Sequence, residues 1–169
     1  MEAFIKGEYI MMMESLVLPS HRDYCRSKTN VDFSDLRDKW INHEEFNKYM
    51  AALREKAGEI GPKIIGTKIA GKIDELFKTF SQIPDLATAL RASSEAYSMS
   101  NTGPDAGEYT VDRVEEGYAK IITTSPLDEG FHVGVGEGII RFYRKTVYFS
   151  QISERRAVAG RTVFEYRWR

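Results

Sequence analysis

Apolar residues recur at helical spacing through the first hundred residues, whereas β-branched and aromatic residues alternate with polar ones along the last seventy. The pattern predicts helices first and then a sheet. A first helix is expected from about Gly7 to Leu18, stopped by Pro19. The polar, aperiodic SHRDYCRSKTNVDFS that follows reads as loop, with a short turn of helix over Asp35 to Trp40. In NHEEF, Asn42 is placed to cap a helix, Glu45 stands three residues on in a capping-box arrangement, and Glu44 suits the positive helix end. Phe46, Tyr49, Met50 and Leu53 would face inward from this helix, and Gly58 would end it. Pro62 suits the first turn of the next helix. There Ile64, Ile65, Ile69 and Ile73 are apolar, while Gly66, Ala70 and Gly71 keep part of the surface thin, for close packing or for a ligand. A further helix starts around Pro84 and Asp85, with Leu86, Leu90 and Tyr97 pointing inward, and SNTGPDAGE ends the helical section.

From Glu108 onward, EYTVDRV and GYAKIITT read as a hairpin of two antiparallel strands. GFHVGVGEGIIRFY then reads as a helix from about Gly130 to Tyr143, and TVYFSQI and RTVFEYRW as two more strands flanking SERRAVAG. Phe164, Tyr166 and Trp168 fall on one face of the last strand, and Val163, Glu165 and Arg167 on the other. The expected class is α+β, one domain over residues 1–169, with helices over 1–100 packed on a β-β-α-β-β section over 101–169. A chain of this length buries roughly 70% of its unfolded surface and holds a core without staples.

Composition narrows the chemistry. With 42% hydrophobic residues, 29% charged residues and a net charge of -1, the chain reads as globular, and nucleic acid is not expected as a partner. Cys25 is the only cysteine, which excludes an intramolecular disulfide and a four-cysteine zinc site and suits a cytoplasmic setting. The early apolar run YIMMMESLVL is too short to span a bilayer, and Glu14 interrupts it. Charge is uneven in the last section. Residues 101–137 hold eight acids and two bases, and residues 138–169 hold eight bases and two acids. Solvated strand faces account for this, as would attraction across a sheet or between two copies.

The glycine-rich stretch fails the phosphate-binding patterns. After Gly134 and Gly136, Ile139 stands where a dinucleotide fingerprint needs its third glycine, and no G-K-[ST] follows. Gly130, Gly134 and Gly138 recur every four residues. On a helix they form one bare face, which asks for a sheet, a second copy of the chain or a ligand lying close against it. His132 has no evident second metal ligand, and His21, His43 and His132 read as surface or capping-region residues. Nucleophile-elbow, H-E-x-x-H and C-x-x-C motifs are missing, so no catalytic residue is predicted.

In order, GYAKIITTSP, GFHVGVGEGIIRFY, VYFSQISERRAVAG and RTVFEYRW resemble the C-terminal part of 4-vinyl-reductase-type ligand-binding domains. These are related in fold to haem-NO-binding sensors and to the core subunits of the TRAPP vesicle-tethering complex. The resemblance covers about residues 100–169. Where that family often places cysteines, this chain has Asp128 or Glu129, Arg155 or Arg156, and Val163, so no metal site is carried over. The haem-binding relatives use a helical histidine and a tyrosine-serine-arginine motif. YSMSN at Tyr97 to Asn101 lacks the arginine, so no cofactor is predicted and haem is not supported. What the resemblance implies is a small-molecule-binding sensory or regulatory domain with a pocket between helices and sheet, commonly in a homodimer or with a regulatory protein partner. Ile64, Ile65, Ile69, Phe131, Ile139 and Phe142 are the candidate lining for an apolar ligand, and equally what a dry core would contain. The alternatives are a non-catalytic homodimeric scaffold, and an enzyme whose Glu44, Glu45, Asp128 or Glu137 converge in space.

Overall fold

A computed structural model describes residues 1–144, 149–152, 156–158 and 160–168. Six helices are present: α1 (Gly7–Ser15), α2 (Pro19–Arg26), α3 (His43–Ala57), α4 (Gly61–Phe77), α5 (Leu86–Ser100) and α6 (Glu129–Tyr143). The strands are β1 (Phe4–Lys6), β2 (Trp40–Asn42), β3 (Asn101–Thr102), β4 (Tyr109–Glu115), β5 (Tyr118–Thr123), β6 (Phe149–Ile152), β7 (Arg156–Val158) and β8 (Arg161–Trp168). The class is α+β, as the hydrophobic pattern predicts. Among the described residues no helix is long and apolar enough to cross a membrane.

The main sheet is antiparallel, ordered β4-β5-β8-β6, with the short β7 also paired to β8. Its inner face follows from alternation along the strands. Ala119 pairs with Tyr166 and Ile121 with Phe164, and all four are fully buried. Each large side chain buried this way is worth about 1.5–3 kcal/mol. On the outer face each stretch forms local pairs within itself, Lys120 with Asp112 in the acidic one and Arg167 with Glu165 in the basic one. Arg113 and Arg167 both lie over the ring of Tyr118. The core has a helical cluster, including Met13, Tyr49, Met50 and Leu53, and a sheet-side cluster around Ile139, Ile140, Phe164 and Tyr166. Ile73, Tyr97 and Val135 pack against both.

Three local expectations are corrected. The first helix stops at Ser15, and Pro19 opens α2 instead of ending α1, so part of the expected loop is helical. Only Cys25 of α2 is fully buried, which leaves little apolar period to read; Arg26 ties the helix to buried Glu14 through two bonds of 2.6 and 2.7 Å. Asp35 to Trp40 forms turns that run into β2, which with β1 and β3 makes a small second sheet, ordered β2-β1-β3, that the pattern does not predict. At the start of α3, Asn42 accepts from the Glu44 N–H at 2.8 Å as expected. Glu45 does not complete a capping box but accepts from the Asn30 N–H at 2.6 Å and binds Lys48.

Candidate functional site

The bare face of α6 meets α4. Gly134 and Gly138 lie so close to α4 that a Cβ on either would run into backbone, at the Lys63 and Thr67 carbonyls respectively. Gly66 answers from α4, where a Cβ would strike the Phe131 carbonyl. Two helices can approach this closely only where side chains are missing, and this seam is the most extensive contact between helices among the described residues. Gly130 does not join it; its neighbours are Asp128, Pro62 and Arg54. The sheet is reached by Gly136, outside the four-residue stripe, which lies under the ring of Tyr166.

Charged side chains fasten the seam. Asp128 caps α6, accepting from the Phe131 N–H at 2.9 Å, and pairs with Arg54 at 2.7 Å. Glu137, only 2% exposed, pairs with Lys63 of α4 at 2.7 Å. Glu44 lies near the amino terminus and Glu45 faces Asn30 and Lys48. The four carboxylates considered for catalysis therefore each hold a separate partner.

Beside the seam lies a buried polar centre that sequence reading misses. His132, in the first turn of α6, is 3% exposed, and its Nε2 lies 2.9 Å from Ser125 Oγ. The Tyr97 hydroxyl stands 2.7 Å from the same oxygen and donates to the Ala106 carbonyl at 2.6 Å. One turn along α5, Asn101 donates to the Tyr97 carbonyl, and its Oδ1 accepts from Nε2 of the fully buried His43 at 2.9 Å. The His132 ring packs against Tyr109 at 5.4 Å, Tyr97 at 5.9 Å and Phe164 at 6.5 Å. Burial lowers the His132 pKa to about 4, opposed by the Asp128 carboxylate and helped by His43, so the ring is neutral at pH 7. Burial likewise lowers His43, against its bond to Asn101, and lifts the Tyr97 hydroxyl to about 12. Neither His43 nor His132 is a surface residue: both are buried, each with a polar partner at Nε2. The nearest sequence signal was the position of each histidine at a capped helix start.

The six residues considered for a ligand do not gather round one space. Ile65 and Ile69 are buried in the helical cluster with Phe131 against it, while Ile139 is buried in the sheet-side cluster with Phe142 against it. Ile64 is 42% exposed on the outside of α4. A concave surface does exist at the open end of the seam. It is an open groove of about 400 Å³ whose lining includes Leu16, Thr67, Gly71, Gly138 and Phe142. Among the described residues no group of three or more His, Cys, Asp or Glu is placed to hold a metal.

Neither a protein-family model nor a curated protein sequence matches the chain. Solved structures of H-NOX domains, haem-NO/oxygen-binding domains, match it along its whole length. A variant of Cs H-NOX aligns at a TM-score of 0.71 and 16% identity, covering 98% of this chain and 97% of that one. An oxygen-binding H-NOX domain related to soluble guanylate cyclases aligns at 0.69 and 16%, covering 98% and 95%. The I5F mutant of T. tengcongensis H-NOX aligns at 0.69 and 15%, covering 96% and 94%. The chain therefore has the H-NOX fold, a fold related to that of 4-vinyl reductases. The likeness extends beyond the C-terminal seventy residues to the helical section.

That fold raises the question of haem, which needs an axial ligand with a free lone pair and a flat slot beside it. Nε2 of His132 lies against Ser125 and Nε2 of His43 donates to Asn101, while Nδ1 of His43 is buried without a partner. A planar group between two rings holds them about 7 Å apart, twice a contact distance of ~3.5 Å. The rings around His132 are closer than that. Cys25 is fully buried, its thiol pushed up to about 11 by burial and by the Glu14 carboxylate. Around His132 the side chains are packed too closely to leave a slot of that thickness.

Proposed function

We propose that this chain is a small-molecule-responsive regulatory domain on the H-NOX fold that works without haem. It takes an apolar ligand at the α4–α6 groove and acts through a homodimer or a regulatory protein partner. The observation that carries the reading is the groove itself. It is an open concavity of about 400 Å³ that places the apolar side chains of Leu16 and Phe142 beside the bare Cα of Gly71. A regulatory role is supported by what flanks it. The seam beyond the groove is packed backbone to backbone, so a ligand that shifts one helix must move the other, and α6 carries His132 onward to the polar centre.

The test has two arms on the whole chain. Titration with haemin, followed by absorbance, is expected to give no saturable Soret band at one equivalent; a sharp stoichiometric band overturns the haem-free reading. Titration with naphthylmethanol, a neutral aromatic probe, is expected to shift the amide resonances of Gly71, Gly138 and Phe142 in a heteronuclear correlation spectrum. Unmoved resonances overturn the groove as a ligand site.

A second reading, a homodimeric scaffold, draws on Ile60, at the N-cap of α4, and Ile64 in its first turn, which are 56% and 42% exposed. Sedimentation equilibrium separates the two. A stable dimer that Ile60→Ser and Ile64→Ser together dissolve, with no response to any groove probe, favours the scaffold.

A further inference from the structure

Gly71 is the glycine of α4 that packing does not explain. Gly66 is required by the seam, and Gly61 opens the helix against Ala57 and Leu53. Gly71 lies in the helix interior, and a Cβ there would meet nothing within 4 Å. An interior helical glycine costs stability relative to alanine, so one that relieves no clash calls for another reason. Its bare Cα lines the groove together with Leu16 and Phe142.

The rim carries the second observation. Lys68, Lys72 and Arg141 line the groove against one carboxylate, Glu75, which Lys72 holds at 3.0 Å. Lys68 is exposed and makes no ion pair among the described residues. Lys68 therefore sets a positive charge beside the apolar side chains of Leu16 and Phe142, a pairing that selects a ligand with one flat apolar body and one anionic end. We infer that the groove takes a compact aryl monoanion, its ring over Gly71 against Leu16 and Phe142 and its carboxylate met by Lys68. The inference rests on the groove being the ligand site and adds the ligand's chemical class.

The experiment compares naphthoate with naphthylmethanol, matched in ring and differing in charge, by calorimetric titration of the whole chain at low salt. Naphthoate is expected to bind about 2–5-fold more tightly, the scale of one exposed ion pair. Lys68→Gln should bring the two affinities together. Gly71→Leu should abolish both while the melting temperature holds or rises, and Gly71→Ala should weaken both by a smaller factor, which preserves the test if the leucine variant does not fold. Equal affinities in the unmodified chain overturn the anion inference and leave the groove reading standing. Failure of both probes overturns the groove reading and the inference with it. Binding that survives Gly71→Leu in a folded protein places the site elsewhere and overturns both.

Discussion

Gly66 and Gly134 face each other across the α4–α6 seam so closely that a Cβ on either would lie 3.0 Å from the other's Cα and nearer still to backbone atoms. Because backbone cannot step aside as a side chain can, Gly66→Ala and Gly134→Ala should each cost about 1–3 kcal/mol. Gly71→Ala, on the same helix but facing open space, should stabilise by about 0.5–1 kcal/mol. Thermal melts of the three variants check the opposite signs.

The first of these glycines shows what the sequence could and could not give. Gly66, Ala70 and Gly71 together suggest thin surface on α4, but whether for packing or for a ligand depends on what lies opposite. Gly66 meets α6, Ala70 is 1% exposed in the core, and Gly71 meets nothing. Elements with a strong period or a cap were legible: Asn42 caps α3 as its position implies, α5 begins beside Asp85, and β8 buries Phe164, Tyr166 and Trp168 on one face. The small sheet was not, since strands of two or three residues leave no period to read. The polar centre escaped for a different reason. His43 is buried on account of Asn101, 58 residues away, and no local pattern announces such a pairing.

The polar centre has a defined pH signature. Since His132 titrates at about 4 in the native state against an ordinary 6.5, the unfolded chain binds a proton between those values that the native chain does not. Stability is unaffected above pH 6.5 and is lost as pH falls from about 6.5 to 4, by on the order of 3 kcal/mol. Burial lowers His43 in the same direction, and Asp85, held down by the Thr88 N–H, adds its own loss as acid approaches its pKa. Comparing urea unfolding of the unmodified chain with His132→Gln at pH 7 and pH 4.5 isolates the imidazole. The variant should show a visibly shallower fall, and an equal fall would assign the effect elsewhere.

The Lys63–Glu137 pair is lopsided, with the carboxylate 2% and the ammonium 24% exposed. Removing the partner that water reaches leaves the other buried and uncompensated. Lys63→Met is therefore expected to destabilise more than Glu137→Gln, because the lysine can swing into solvent while the glutamate cannot. The double variant should recover part of the loss, and a double-mutant cycle by chemical denaturation reads the coupling.

Cys25 is fully buried, and its thiol titrates at about 11. At pH 8 almost no thiolate is present or accessible. Ellman's reagent should leave the native chain unmodified over hours and label one thiol promptly in denaturant. Rapid native labelling would mean that α2 opens locally.

The seam between α4 and α6 also sets an order of assembly during synthesis. When α4 leaves the ribosome, the strip of backbone around Gly66 and Thr67 has no cover, because Gly134 and Gly138 are still to be translated. The nascent helical section must hold that strip open until α6 arrives. A pause or truncation anywhere across β4 and β5 therefore leaves a fragment with the Lys63 to Thr67 backbone uncovered, a form on which chaperones and proteases act first.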